Sequence, residues 1–197
     1  MEIGNTPFTN SLPVKETPHL PDGSFGWLTA TPTHDEWAIG DEKADELPMQ
    51  LVAAIDSAKE CGVSLPNEFV NFIRDAELHK HLRSANGDYL DLAGTLLPVF
   101  NGYLLRFLSD QQGCGFWYLY LSPDGSDHCV VSSYEYFDAD DMDYEPEELS
   151  PDDFTYFSPT FEAFFCRYWI EHEMMFHRND ETPPPNVDPR FLEIYSG

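Results

Sequence analysis

The chain has 197 residues, 42% of them hydrophobic and 15% aromatic, which is enough for one substantial core and too apolar for a disordered chain. Thirty-six acidic side chains face ten basic ones, giving a net charge of −26. That balance excludes nucleic acid as a partner, because phosphate binding needs lysines and arginines to displace counterions, and it favours a protein with a basic surface.

The first 24 residues carry Pro7, Pro13, Pro18 and Pro21 with few large apolar side chains, which predicts an extended N-terminal arm over residues 1–24. Its start lacks the basic region and apolar run of a signal peptide. No stretch approaches the ~18 apolar residues of a membrane span, so a cytoplasmic protein with no membrane partner is expected. Trp27 with Leu28, and Trp37 with Ile39, mark two short strand-like pieces. Leu51, Val52, Ile55 and Ala58 recur at helical spacing over residues 47–58, beginning near Pro48 and stopping at Gly62. A second helix starts at Pro66 and buries Phe69, Phe72 and Ile73. Leu78 and Leu82 fall on another face, which predicts a break near Asp75 and a further short helix. His79 and His81, two positions apart, diverge on a helix and are expected at the surface.

Residues 103–108, 116–121 and 128–133 are expected as strands, the last two joined by a turn built on Pro123-Asp124-Gly125. Such a hairpin sets Cys129 opposite Tyr120. Aromatics occupy both faces of 116–121, so this strand is expected at the centre of a sheet covered on both sides, helices supplying at least one cover. A last long helix is predicted over 159–177, with Ser158 as N-cap, Pro159 in the first position, and a stripe of Phe161, Phe164, Phe165, Tyr168, Met175 and Phe176. The chain is thus divided into the arm, a single α+β domain over 25–178, and a C-terminal tail, 179–197, packed on or near it.

Candidate chemistry fails on geometry. His172 and His177 are one residue too far apart for the HExxH zinc signature and project about 140° apart on a helix. His172 falls inside the aromatic stripe, as a hydrogen-bonded core histidine would. Cys61, Cys114, Cys129 and Cys166 form neither a CxxC pair nor a zinc ladder and are expected as reduced, mostly buried thiols. Gly113-Cys114-Gly115 lacks the third glycine and following helix of a phosphate loop, and Ser132 and Ser133 sit in no nucleophile elbow. Cys114 beside His128 has no evident positive charge or helix N-terminus to lower its thiol pKa. No catalytic residue, metal or cofactor is therefore assigned.

The acidic stretch after residue 134 is different. An EF-hand starting at Asp138 would put Asp143 where glycine is needed and Leu149 where the bidentate glutamate belongs, so calcium binding of that kind is excluded. Aromatics are threaded through the acid, and that combination suits the capture of a basic surface. The expected partner-binding set is Glu135, Tyr136, Phe137, Asp138, Asp140, Asp141, Asp143, Tyr144, Glu145, Glu147 and Glu148, with Asp110 and Gln111 at the bend before residue 116. Tyr136, Phe137 and Tyr144 would be the anchors. The competing readings are a solvated loop over 135–153, acid that serves solubility alone, and an Asp110 that satisfies its own turn. Mutual repulsion in this loop would raise its carboxyl pKa values, so acid from pH 7 to about 5 would stabilise the free chain; the opposing case is a loop already paired with bases such as Arg106, Arg167 or Arg178, where acid would destabilise.

Residues 105–121, reading Leu105-Arg106-Phe107-Leu108-Ser109-Asp110 through Gly113-Cys114-Gly115-Phe116-Trp117-Tyr118-Leu119-Tyr120-Leu121, are followed by Asp124-Gly125 and His128-Cys129-Val130-Val131. Together they resemble the SUKH superfamily, bacterial toxin-immunity proteins related to fungal cell-wall assembly regulators. Leu65-Pro66 with the aromatic helix segment through Ile73, then Leu82-Arg83-Ser84 and Tyr89-Leu90-Asp91-Leu92, extend the likeness over about residues 47–177. The resemblance implies an α+β fold, a twisted and mainly antiparallel β-sheet with helices packed against it, and no catalytic centre. It also implies a non-enzymatic binding module, an immunity protein that neutralises a cognate basic toxin, often a nuclease. The alternative is an intracellular regulatory adaptor or scaffold of the same fold without a toxin partner.

Overall fold

The computed structural model describes residues 7–139, 149–179 and 182–196. It is an α+β domain built on a seven-stranded, mainly antiparallel open sheet. In chain order the elements are β1 (Asn10–Ser11), α1 (Leu47–Glu60), α2 (Asn67–Arg74), α3 (Ala76–His79), β2 (Asp88–Leu90), β3 (Leu97–Val99), β4 (Gly102–Asp110), β5 (Phe116–Leu121), β6 (His128–Ser133), β7 (Thr155–Ser158), α4 (Phe161–Arg178) and α5 (Pro189–Ile194). The sheet order is β1-β7-β6-β5-β4-β2, with β3 also paired to β4. Every strand pair is antiparallel except the short β1–β7 contact. Among the described residues no helix is long and apolar enough to cross a membrane.

The central hairpin follows from local chemistry. Asp124 Oδ1 accepts from the Ser126 amide and from the hydroxyls of Ser122 and Ser126, and Gly125 takes the left-handed φ of +67° that a side chain resists. The register that results sets Tyr120 opposite Cys129, as expected. Alternation along β5 then divides the core. Trp117, Leu119 and Leu121 face the helices, while Phe116, Tyr118 and Tyr120 face the other side. A β-bulge at Phe107 in β4 keeps both Phe107 and Leu108 on the helix side. There Phe107 meets Phe69 of α2 and Phe161, Phe164 and Phe165 of α4.

Among the described residues no α-helix supplies the second cover. It is made by Phe8 of the arm together with Phe137, Leu149 and Phe154, which enclose Leu104, Tyr118, Tyr120 and Val131. The acidic stretch thus enters and leaves through the core. The arm is equally engaged: β1 lies on the β7 edge, the Leu12 amide donates to Tyr156 O, and the Tyr195 hydroxyl beyond α5 donates to Glu16 O.

Several expectations are corrected. Leu28 begins a 3-10 turn, and Trp37 and Ile39 flank a single β-bridge, Ala38 to Arg83, so neither piece is a strand. The last helix starts two residues later than its Ser-Pro signal suggested. Ser158 closes β7, and Thr160, in extended conformation, is the N-cap, its Oγ1 accepting from the Ala163 amide at 3.1 Å. His79 is 4% exposed, with Nε2 2.9 Å from Phe72 O, because the short α3 folds its ring under α2.

Candidate functional site

The expected anchors separate once folded. Tyr136 stays partly exposed, its ring edge-on to Phe116 and beneath the Arg106 guanidinium at 4.3 Å. Phe137, by contrast, is 2% exposed and packs on Phe154 and Tyr118, so it is a core residue and is removed from the anchor set. A sheet with aromatics on both faces needs a second cover, and Phe137 belongs to it. Glu135 is exposed, and its carbonyl accepts from the Tyr118 hydroxyl. Asp138 accepts from Arg106 Nη1 at 2.7 Å and from the Tyr136 hydroxyl, so its charge is already engaged. Asp140, Asp141, Asp143, Tyr144, Glu145, Glu147 and Glu148 lie outside the described residues. At the bend, Asp110 Oδ1 accepts from the Gln112 amide while Gly113 takes φ +69°, a turn that satisfies itself. Gln111 is exposed, its side chain lying against Gly87.

Arg106 is the hub: the sequence offered it as a base that could pair with the acidic loop, which it does at Asp138, while its pairing with Asp91 was not foreseen. On β4, with its side chain 5% exposed, it reaches Asp91 at 3.1 Å and Asp138 at 2.7 Å. Asp91 also accepts from Lys43 Nζ at 2.5 Å and from Ser109 Oγ at 2.7 Å. Burial pushes the Asp91 carboxyl up, but Arg106, Lys43 and Ser109 together outweigh it and hold the group below the usual carboxylate range. The signal available in the sequence was an arginine in an otherwise apolar strand, which demands a buried acid somewhere.

A second polar cluster lies at the opposite end of β2. Asp88 Oδ2 accepts from Ser84 Oγ at 2.8 Å and Tyr168 Oη at 2.9 Å, with His172 Nε2 at 3.5 Å. His172 Nδ1 accepts from the Ala85 amide at 2.9 Å, which leaves the ring proton on Nε2. Burial pushes the imidazole pKa down to about 3 and the Asp88 carboxyl up. Through Ser84, Ala85 and Asp88 this cluster ties the 84–88 segment to Tyr168 and His172 of α4. Of the thiols, Cys129 and Cys166 are buried, Cys61 partly so, and Cys114 is exposed. Among the described residues no group of three or more His, Cys, Asp or Glu side chains is placed to hold a metal ion.

The distribution of positive charge is the clearest functional property. Lys15, Lys43, Lys59, Lys80, Arg83, Arg106, Arg167 and Arg190 each lie within ion-pair distance of a carboxylate of this chain. Most of the ten cations are thereby paired internally, which leaves the large acidic excess of the sequence. No family model, curated protein or solved structure matches the chain.

Proposed function

We propose that the chain is a protein-binding module that captures a partner with a basic surface, and that this partner is a toxin domain which it neutralises. The observation that carries the reading is the internal use of the cations: a net charge of −26 remains, and a basic surface is steered toward it. The α+β fold, with helices on one face of an antiparallel sheet, accords with the SUKH resemblance. Exposed Glu135, half-exposed Tyr136, Gln111 and Asp110 at the bend, and Tyr144 with the acids of 140–148 remain the contact set of this reading, with Phe137 withdrawn and exposed Tyr134 added.

The test is co-expression with the product of a neighbouring gene that encodes a large multidomain protein carrying a basic terminal domain. Rescue of growth, together with an association rate that falls steeply with salt, supports neutralisation. Reversal of Asp140, Asp141 and Asp143 to lysine should slow association, whereas reversal of Asp138 would also break its pair with Arg106 and belongs in no clean test. Tight binding without rescue favours the adaptor. Binding that ignores salt and charge reversal removes the electrostatic reading.

A further inference from the structure

Trp37 takes φ +67°, in the left-handed region that a bulky L-residue resists. Phe25 shares that conformation at φ 56°, but its ring is 1% exposed and packs on Phe72, Phe161 and Phe165, so core burial offsets the strain. Trp37 has no such compensation, since it is 62% exposed. Its backbone is nevertheless clamped: the Ser84 amide donates to Trp37 O at 3.0 Å, the Ile39 amide to Leu82 O at 3.0 Å, and Ala38 bridges Arg83. The point from which the exposed indole projects is thereby fixed.

Beside it opens a cleft of about 290 Å³, at the small end of ligand sites and on the scale of one long side chain. Its lining includes Ala38, Ser84, Tyr89 and Gln111 with the exposed acids Asp41 and Glu42, and Asp88, whose buried carboxyl is already held by Ser84 and Tyr168. No lysine or arginine contributes to the lining among the described residues. The adjacent Lys43 is turned to Asp91. An aromatic face beside several carboxylates and without a competing cation is the chemistry that recognises a guanidinium, which stacks on an indole while its fork meets carboxylate oxygens.

We infer that the Trp37 cleft receives an arginine side chain of the partner protein, stacked on the indole and paired with Asp41 and Glu42. This rests on the reading of the chain as a binder of basic proteins and deepens it by naming where the partner is gripped. The site is lined by residues from outside the 135–153 stretch, and it makes the contact specific where bulk charge would only steer.

The experiment titrates the full chain with a capped Gly-Arg-Gly peptide and with its citrulline analogue, which keeps the shape and lacks the charge, by amide and indole NMR. The arginine peptide should shift the Trp37 indole and the amides of Ala38, Gly87 and Gln111, and the citrulline peptide should bind roughly tenfold more weakly. Trp37→Ala should abolish the shifts. The pair Asp41→Asn with Glu42→Gln, which leaves the clamped backbone alone, should weaken them to the citrulline level. Shifts scattered over the acidic surface, or equal for the two peptides, overturn the assignment. Polyarginine run alongside separates the two levels: salt-sensitive binding that Trp37→Ala retains in full overturns the cleft and leaves the basic-partner reading standing, and a loss of about tenfold supports both.

Discussion

His172 sets the acid stability of this fold with a magnitude that can be worked out. Its ring is 6% exposed and stacked on Tyr168 at 3.9 Å, and its Nδ1 lone pair is taken by the Ala85 amide. Asp88 lies 3.5 Å from Nε2, and burial of the ring is the cause that sets the shift. The folded pKa is held down at about 3, against about 6.5 in the unfolded chain. A depressed histidine contributes stability that is fully present above the unfolded pKa and is lost as pH falls toward the folded one. The slope in that window is about 1.4 kcal/mol per pH unit, so the loss at pH 5 is about 2 kcal/mol. His172→Asn keeps an acceptor for Ala85 and removes the titration. It should lose stability at pH 7 with the ring stacking, and its urea midpoint should then change far less between pH 7 and pH 5 than that of the parent. Repulsion among surface carboxylates pushes the other way, but it is common to both proteins and cancels in the difference. Parallel pH dependences in the two proteins would refute the assignment.

Arg106→Met leaves Asp91 only Lys43 and Ser109 and takes the cation from Asp138; it should cost about 3–5 kcal/mol in a urea titration at pH 7, the deficit narrowing as acid protonates Asp91, and a loss under about 1 kcal/mol would mean that the pair is solvated. Glu162 is fully buried and accepts from the amides of Gly23 and Phe25 and from the Trp27 indole, so Glu162→Gln turns a donor onto a donor and should cost about 1–3 kcal/mol. Hydrogen exchange should accelerate at Gly23 and Phe25 before the β5–β6 hairpin is affected. Phe25→Gly should cost about 3–5 kcal/mol through the cavity it leaves, while Trp37→Gly should stay within about 1 kcal/mol of the parent, relief of left-handed strain offsetting the glycine entropy. A large loss at Trp37 would assign the indole to the fold rather than to recognition.

The β5–β6 hairpin and α1 were legible because their signals are local: Asp124-Gly125 closes its own turn, and Leu51 with Ala58 lies on one helix face. The two-sided core was also visible, in the aromatics of Phe116 to Tyr120. What could not be read was which segment covers the second face, since Phe8 and Phe154 reach it from opposite ends of the chain and neither sits in a periodic run. The short strands β2, β3 and β7 were missed for a related reason. Each is three or four residues long and exists through its pairing with β4 or β6. Acid mixed with aromatics reads the same whether the aromatics face out or in. Tyr136 and Phe137 are adjacent in sequence, and only the shape of the sheet places one at the surface and the other in the core.

The scarce cations clarify what the acid does. The side chains of Arg83, Arg106 and Arg167 are no more than 11% exposed, and each binds a carboxylate that the fold needs. Arg83 joins Glu173 across 90 positions of sequence in a two-bond fork. Drawing these charges inward leaves the surface acids to repel one another, a strain that either salt or a basic partner relieves. Salt should therefore raise the melting temperature of the free chain and, over the same range, slow its association with a basic partner. Acid kept only for solubility produces the first response without the second. The paired measurement thus separates a surface that is tolerated from one that is used.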